Sequence, residues 1–199
     1  MPHFNRANRS RLKGLFNGFF RREDGVISVE AMLILPMLFW SMFASYTYYD
    51  SYRQSARNIK GAYAIADIIS REDGDINTKY IDTLYDLLNE MVYTRSPVSM
   101  RVSYIEYIGN NSGVMAHNVV WSCVRGTTYP QLINSEIDKI KHRIPVMPAN
   151  GSMIIVETKN TYKAPFQMGF EFADFEMDNF VFTHPRVFDQ VVNTPCKIS

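Results

Sequence analysis

The sequence predicts an α+β protein: a long N-terminal helix, transmembrane in its first half, packed on a small antiparallel sheet with additional helices. Three observations carry this expectation. Val26 to Tyr46 is a run of 21 residues holding one ionisable group, long enough as a helix to span about 31 Å. Apolar residues at alternating spacings of four and three follow it. From Pro97 the hydrophobic period changes to two, the period of a strand.

The chain opens with a basic block, residues 1–25. Before Glu23 there are six Lys or Arg (Arg6, Arg9, Arg11, Lys13, Arg21 and Arg22) and no acid. Leu12, Leu15, Phe16, Phe19 and Phe20 recur at helical spacing, which suits an amphipathic segment on an anionic leaflet; a disordered basic tail fits the same residues. From Thr47 onward 15 basic residues face 17 acidic ones, so the net charge of +1 hides a basic leader and a near-neutral domain. Such a balance gives no reason to expect nucleic acid as a partner. Basic flanks stay on the cytoplasmic side. The organisation expected is therefore a cytoplasmic leader (1–25), a transmembrane helix (26–46), a helical stalk (47–72) and an exported α+β domain (73–199). Ser41-Met42-Phe43-Ala44-Ser45 offers a small-residue site for removal of the whole segment as a secretory signal, but the apolar run is longer than a signal core.

Two residues stand out in the span. Glu30 places a carboxylate one turn inside apolar surroundings, at a cost of at least about 2.5 kcal/mol, and so calls for a function and a partner. Pro36 removes a backbone donor and frees the carbonyl of Met32, so a kink or loosened turn is expected there. Glu30 is the fifth residue after Gly25, and this arrangement before a hydrophobic helix is the processing signature of type IV-like prepilins. Phe20-Arg21-Arg22-Glu23-Asp24-Gly25, then Val29-Glu30, then Leu35-Pro36 resembles the start of the TadE/TadG-like pseudopilins of the tight-adherence pilus. Downstream the likeness rests on a strand-rich domain and on Thr183-His184-Pro185-Arg186, similar to a Pro-Arg ending in that family. Asp24 stands where many type IV pilins carry a basic residue. The resemblance implies a minor pilin-like structural subunit of a bacterial inner-membrane machine. It implies cleavage between Gly25 and Val26 by a prepilin peptidase, assembly through Glu30, a helix-breaking Pro36, and other pilin and pseudopilin subunits as partners.

Beyond the span the helix is expected to reach about Ile69. Tyr52, Ala56, Ile59, Tyr63 and Ala66 form a two-heptad seam, read as the face packed on the exported domain. Asp73-Gly74-Asp75 ends it, and Asp75 or Asn77 caps an amphipathic helix over Thr78–Val92. Asp73, Asp75 and Asn77 open like a calcium loop, but Thr78 and Leu84 occupy the positions that need Gly and Glu. Val98 to Tyr104 and Val114 to Arg125 read as a hairpin around Gly109–Gly113. Pro130–His142 is expected to be a short helix, and Ser152–Tyr162 a third strand after an Asn150-Gly151 turn. The last region is rich in aromatics (Tyr162, Phe166, Phe170, Phe172, Phe175, Phe180, Phe182 and Phe188), most of them expected in the core, with an exposed partner-binding patch as the other reading.

No reaction is legible. His3, His117, His142 and His184 are scattered, no metal or nucleophile motif occurs, and neither a cofactor nor a small-molecule substrate is indicated. Cys123 is read on one strand face with Val119 and Trp121, where a buried thiol would look the same. A bond to Cys196 on the exported side would pin the chain end. The competing class is a signal-anchored periplasmic enzyme or ligand-binding domain in which Glu30 is incidental.

Overall fold

The computed structural model describes residues 23–109, 114–166, 174–187 and 196, with side chains in the first helix from Ile27. The leader before Glu23, the 110–113 turn, and Phe170, Phe172 and Phe188 lie outside the described residues. The architecture is α+β. In chain order the elements are helix α1 (Glu23–Ser70), helix α2 (Thr78–Val92), strands β1 (Ser99–Gly109) and β2 (Met115–Arg125), a short helix α3 (Ile137–Ile140), and strands β3 (Ser152–Tyr162) and β4 (Phe175–Thr183). The chain divides into two compact units between Tyr48 and Tyr49.

In the first unit α1 is long and apolar enough to cross a membrane. Ile27–Ser70 contains an 18-residue window of mean hydropathy 1.8, none of it buried among the described residues.

The second unit is built on one antiparallel sheet of order β2-β1-β3-β4. Asn77 starts α2 by accepting a hydrogen bond at its Oδ1 from the Tyr80 amide at 2.8 Å, and the left-handed Tyr93 (φ 44°) ends it. The period-two pattern sends Met100, Val102, Tyr104, Ile154 and Val156 to one face, where α2 (Ile81, Leu84, Leu88) and the second half of α1 cover them. The opposite face, with Ile105, Met153 and Ile155, is closed by Leu132, Ile137 and Met147 of the 130–147 segment. On this second face Arg101 and Glu157 are cross-strand partners, bonded Nε to Oε2 at 2.6 Å and both buried. Arg101 also donates to the Pro130 carbonyl (3.0 Å) and lies over the Tyr129 ring, so the buried charges are paired and hydrogen-bonded.

Four expectations need correction. The seam on α1 is not the packed face: Tyr52 and Tyr63 are 71% and 60% exposed, and Ile59 is exposed too, although Ala66 is buried. The contact stripe is instead Asn58, Gly61, Ala62, Ile65, Ala66 and Ile69. Closeness decides this, because a Cβ on Gly61 would meet Leu88 Cδ1 at 2.9 Å and Val92 Cγ2 at 3.3 Å, and a tyrosine cannot stand there. Secondly, Val119 does not share a face with Cys123 and Trp121. The register shifts between Tyr104 and Ile105, so Trp121 pairs with Tyr104 while Val119 pairs with Ile105 on the other side.

Thirdly, the Pro130–His142 helix is broken up. Only Ile137–Ile140 is α-helical, flanked by 3-10 turns at Asn134–Glu136 and Lys141–Arg143. Asn134 ties the start to β2, accepting from the Val119 amide at 2.6 Å and donating to Asn118 at 3.0 Å, which uses the side chain that would cap a longer helix. Lastly, the C-terminal aromatics are divided. Tyr162 is buried and Phe180 partly so, while Phe166, Phe175 and Phe182 are exposed, the last two on β4, which among the described residues has a strand neighbour on one side only.

The packed face of α1 is testable in the full chain in neutral detergent by chemical denaturation. Gly61→Val should destabilise the domain by about 1–3 kcal/mol through overpacking against Leu88 and Val92. Tyr63→Ala, on the exposed side, should change stability by no more than about 0.5 kcal/mol.

Candidate functional site

Glu30 and Pro36 lie six residues apart on α1, in a stretch whose side chains from Ile27 to Trp40 are all exposed. A run of Met, Leu, Ile and Phe with this exposure marks a surface for lipid or for other apolar helices. Glu30 has no ion-pair or hydrogen-bond partner among the described residues. The helix continues through Pro36 without a break in its assignment. The backbone of Gly25 and Val26 lies within α1.

Cys123 of β2 and Cys196 are joined by a disulfide closing a 73-residue separation. The Cys196 carbonyl also accepts from the Ser122 amide (3.2 Å) and from Gln131 Nε2 (3.3 Å), so this part of the chain end is held by backbone as well as sulfur. Two of the described histidines make contacts within the fold: His117 lies against the Tyr107 ring at 4.9 Å, and His184 Nδ1 is 2.7 Å from the Ser152 carbonyl, while His142 is exposed. Burial, then the charge of Lys141, lowers the His117 pKa and favours the neutral ring.

The second unit holds a feature that sequence reasoning missed, a cleft of about 570 Å³. Three segments far apart in the chain supply it. Arg53 and Arg57 come from α1, one helical turn apart and so on one side of it; Arg95 follows α2; Lys163 follows β3. Asp50 is the one carboxylate in the lining, and its Oδ2 accepts from the buried Tyr162 hydroxyl at 3.0 Å. Gln54 forms the floor, donating to the Val92 carbonyl (3.0 Å) and to Asn58 (3.2 Å). Tyr93 gives the wall its shape, since its left-handed backbone, costly for a residue with a Cβ, turns the chain so that Thr94 and Arg95 reach the cleft.

The two charged clusters of this unit differ in kind. Around Arg101 the charges are matched, and Tyr129 completes the network by donating to Asp178 at 2.9 Å; burial, then the Asp178 charge, pushes the Tyr129 pKa up, so the hydroxyl stays a donor. Around the cleft, Arg53, Arg57, Arg95 and Lys163 have no carboxylate within ion-pair distance among the described residues. Most other described cations of the unit do, including Arg125 with Asp82 (2.5 Å) and Lys159 with Glu176 (2.7 Å). One sequence signal for the cleft existed: Arg53 and Arg57 stand close after an apolar span, on the flank where basic residues are disfavoured if that side is exported.

The disulfide should contribute up to about 4 kcal/mol on the chain-entropy account of a loop this long. Reduction, or Cys196→Ser, is therefore expected to lower the denaturation midpoint of the full chain, and thiol labelling of denatured, unreduced protein should find neither cysteine free.

Compared with protein-family models, with curated proteins and with solved structures, the chain matches none of them.

Proposed function

We propose that the protein is a minor pilin-like, pseudopilin-type subunit of a tight-adherence pilus or related secretion machine. In this reading it is anchored in a bacterial inner membrane by the first half of α1, with its amino terminus cytoplasmic and its α+β domain periplasmic. The observation that carries the reading is Glu30: the one ionisable group of the exposed apolar stretch from Ile27 to Trp40, five residues after a glycine that follows a basic leader. The orientation is supported by the six basic residues ahead of Glu23. The role is structural, and the chain is the substrate of a peptidase rather than a catalyst.

Glycine suits the cleavage site, because a protease must bring its catalytic groups close to a backbone that no side chain shields. Cleavage after Gly25 creates an α-amine on Val26, cationic near neutral pH in water. That amine lies about one helical turn from Glu30 in the same chain, where an i, i+4 pair is worth only a few tenths of a kcal/mol. Between neighbouring subunits the same two charges neutralise one another where water is scarce. A buried carboxylate without its partner is strongly unfavourable, so the pairing favours assembly over the lone subunit and sets its register.

Mass spectrometry of the mature chain should therefore find Val26 as its first residue; an intact Met1 or Pro2 would return the protein to the class of uncleaved anchors. Glu30→Ala protein should insert and be processed, yet lose crosslinks to other pilin subunits in membranes and lose pilus output. Normal crosslinks and normal piliation would leave Glu30 without an assembly role.

A further inference from the structure

We infer that the cleft bounded by Arg53, Arg57, Arg95 and Lys163 binds a phosphate-bearing anion, the headgroup of an anionic glycerophospholipid at the membrane surface beside the span. The inference rests on α1 standing in a membrane with the domain on the exported side, and is independent of whether the protein joins a pilus.

Charge identifies the class of ligand. Four cations line the cleft against one carboxylate, Asp50, which is already engaged by Tyr162. Arg53, Arg95 and Lys163 are exposed and Arg57 half-buried, so solvent screens their mutual repulsion, while an anion in the cleft would be attracted by all four. Arg53 and Arg57, one turn apart, repel rather than support the helix, so helix stability does not explain them. Guanidinium forks match phosphate oxygens with charge-assisted hydrogen bonds, and a phosphodiester flanked by glycerol fits a volume of about 570 Å³. The lining is polar, which excludes an acyl chain as the occupant and leaves the headgroup.

Position identifies the source. Arg53 follows Tyr46, the last residue of the span, by seven residues, which reach no more than about 25 Å even fully extended. Chain length alone therefore keeps Arg53 within that reach of the end of the span. Tyr46, Tyr48, Tyr49 and Tyr52 crowd the same stretch of sequence, the composition of an aromatic belt at headgroup level. Arginines on an exported flank run against the usual bias in basic residues, and a headgroup site gives them a reason to be there.

The test uses the full chain, delipidated in dodecyl maltoside and titrated with dioleoylphosphatidylglycerol or dioleoylphosphatidylcholine, with bound lipid read by native mass spectrometry and the thermal midpoint of the domain as second readout. Phosphatidylglycerol should be retained at least roughly tenfold better than phosphatidylcholine and should raise the midpoint. Arg53→Gln/Arg57→Gln/Arg95→Gln should lose roughly tenfold in phosphatidylglycerol retention, whereas Lys79→Gln/Lys141→Gln, which removes two cations outside the cleft, should not. Should the triple variant not fold, Lys163→Glu at an exposed position carries the same expectation. Equal retention by wild type and the cleft variants would overturn the site. Stabilisation by inorganic phosphate or glycerol phosphate alone, with the same arginine dependence and at the same concentration as the lipid, would overturn the membrane source and assign the cleft to a soluble phosphate compound. Because the assay uses purified protein, it can fail while processing and pilus assembly stand, and the reverse also holds.

Discussion

One helix in this protein carries two surfaces that need different surroundings. The first half of α1 presents Met, Leu, Ile, Phe and Trp side chains that the described residues leave uncovered, while the second half turns Asn58, Gly61, Ala62, Ile65, Ala66 and Ile69 into a protein core. Apart from the Met32 carbonyl, which Pro36 leaves without its helical donor, the backbone bonds of such a helix are made within it, which would suit one element to lipid and to protein alike. Sequence composition makes the change. Broadly apolar residues give way past Tyr49 to a helix with a narrow buried stripe and charged flanks.

The domain depends on how closely that stripe is approached. At Gly61 the tip of Leu88 stands 2.9 Å from where a Cβ would be, so a larger residue would make Leu88 shift; α1 and α2 both lie against the Met100–Tyr104 face of the sheet. Polar groups are kept inside this contact and each is used: Asn58 donates to Asn160 at 2.6 Å, and Gln54 reaches the Val92 carbonyl at the end of α2. These bonds fix the helix in rotation as well as in place, because either amide turned away would leave a buried group unsatisfied. The same rotation aligns Arg53 and Arg57 with Arg95 and Lys163 and leaves Tyr52 and Tyr63 outside. Core packing and the cationic cleft are therefore two consequences of one choice of helix face.

The opposite sheet face shows how charge is handled where no ligand is called for. Arg101 is neutralised by Glu157, covered by Tyr129 and bonded to Pro130, so its cluster is closed. The cations of the cleft are unmatched among the described residues. That contrast, within one unit, is the physical ground for treating one as architecture and the other as a binding site.

Much of the fold was legible from local pattern. The α+β class, the helix over Thr78–Val92 with Asp75 or Asn77 as its cap, the strand over Ser152–Tyr162 and the continuation of α1 to its end by Asp73 all follow from periodicity and breakers, which act within a few residues, and the structure selects Asn77 as the cap. Glu30 and its distance from Gly25 are likewise properties of the chain alone. What the sequence could not decide depends on shape across elements. Reading hydrophobicity selected the tyrosines of α1 as its packed face, but closeness of approach at Gly61 selected small residues. An extra residue in β2 moved Val119 to the other side of the sheet, and Asn134 spent its side chain on a strand rather than on a helix cap. The cleft joins residues 53–57, 93–95 and 162–163, and only tertiary packing brings their charges together, because no local period links segments that far apart.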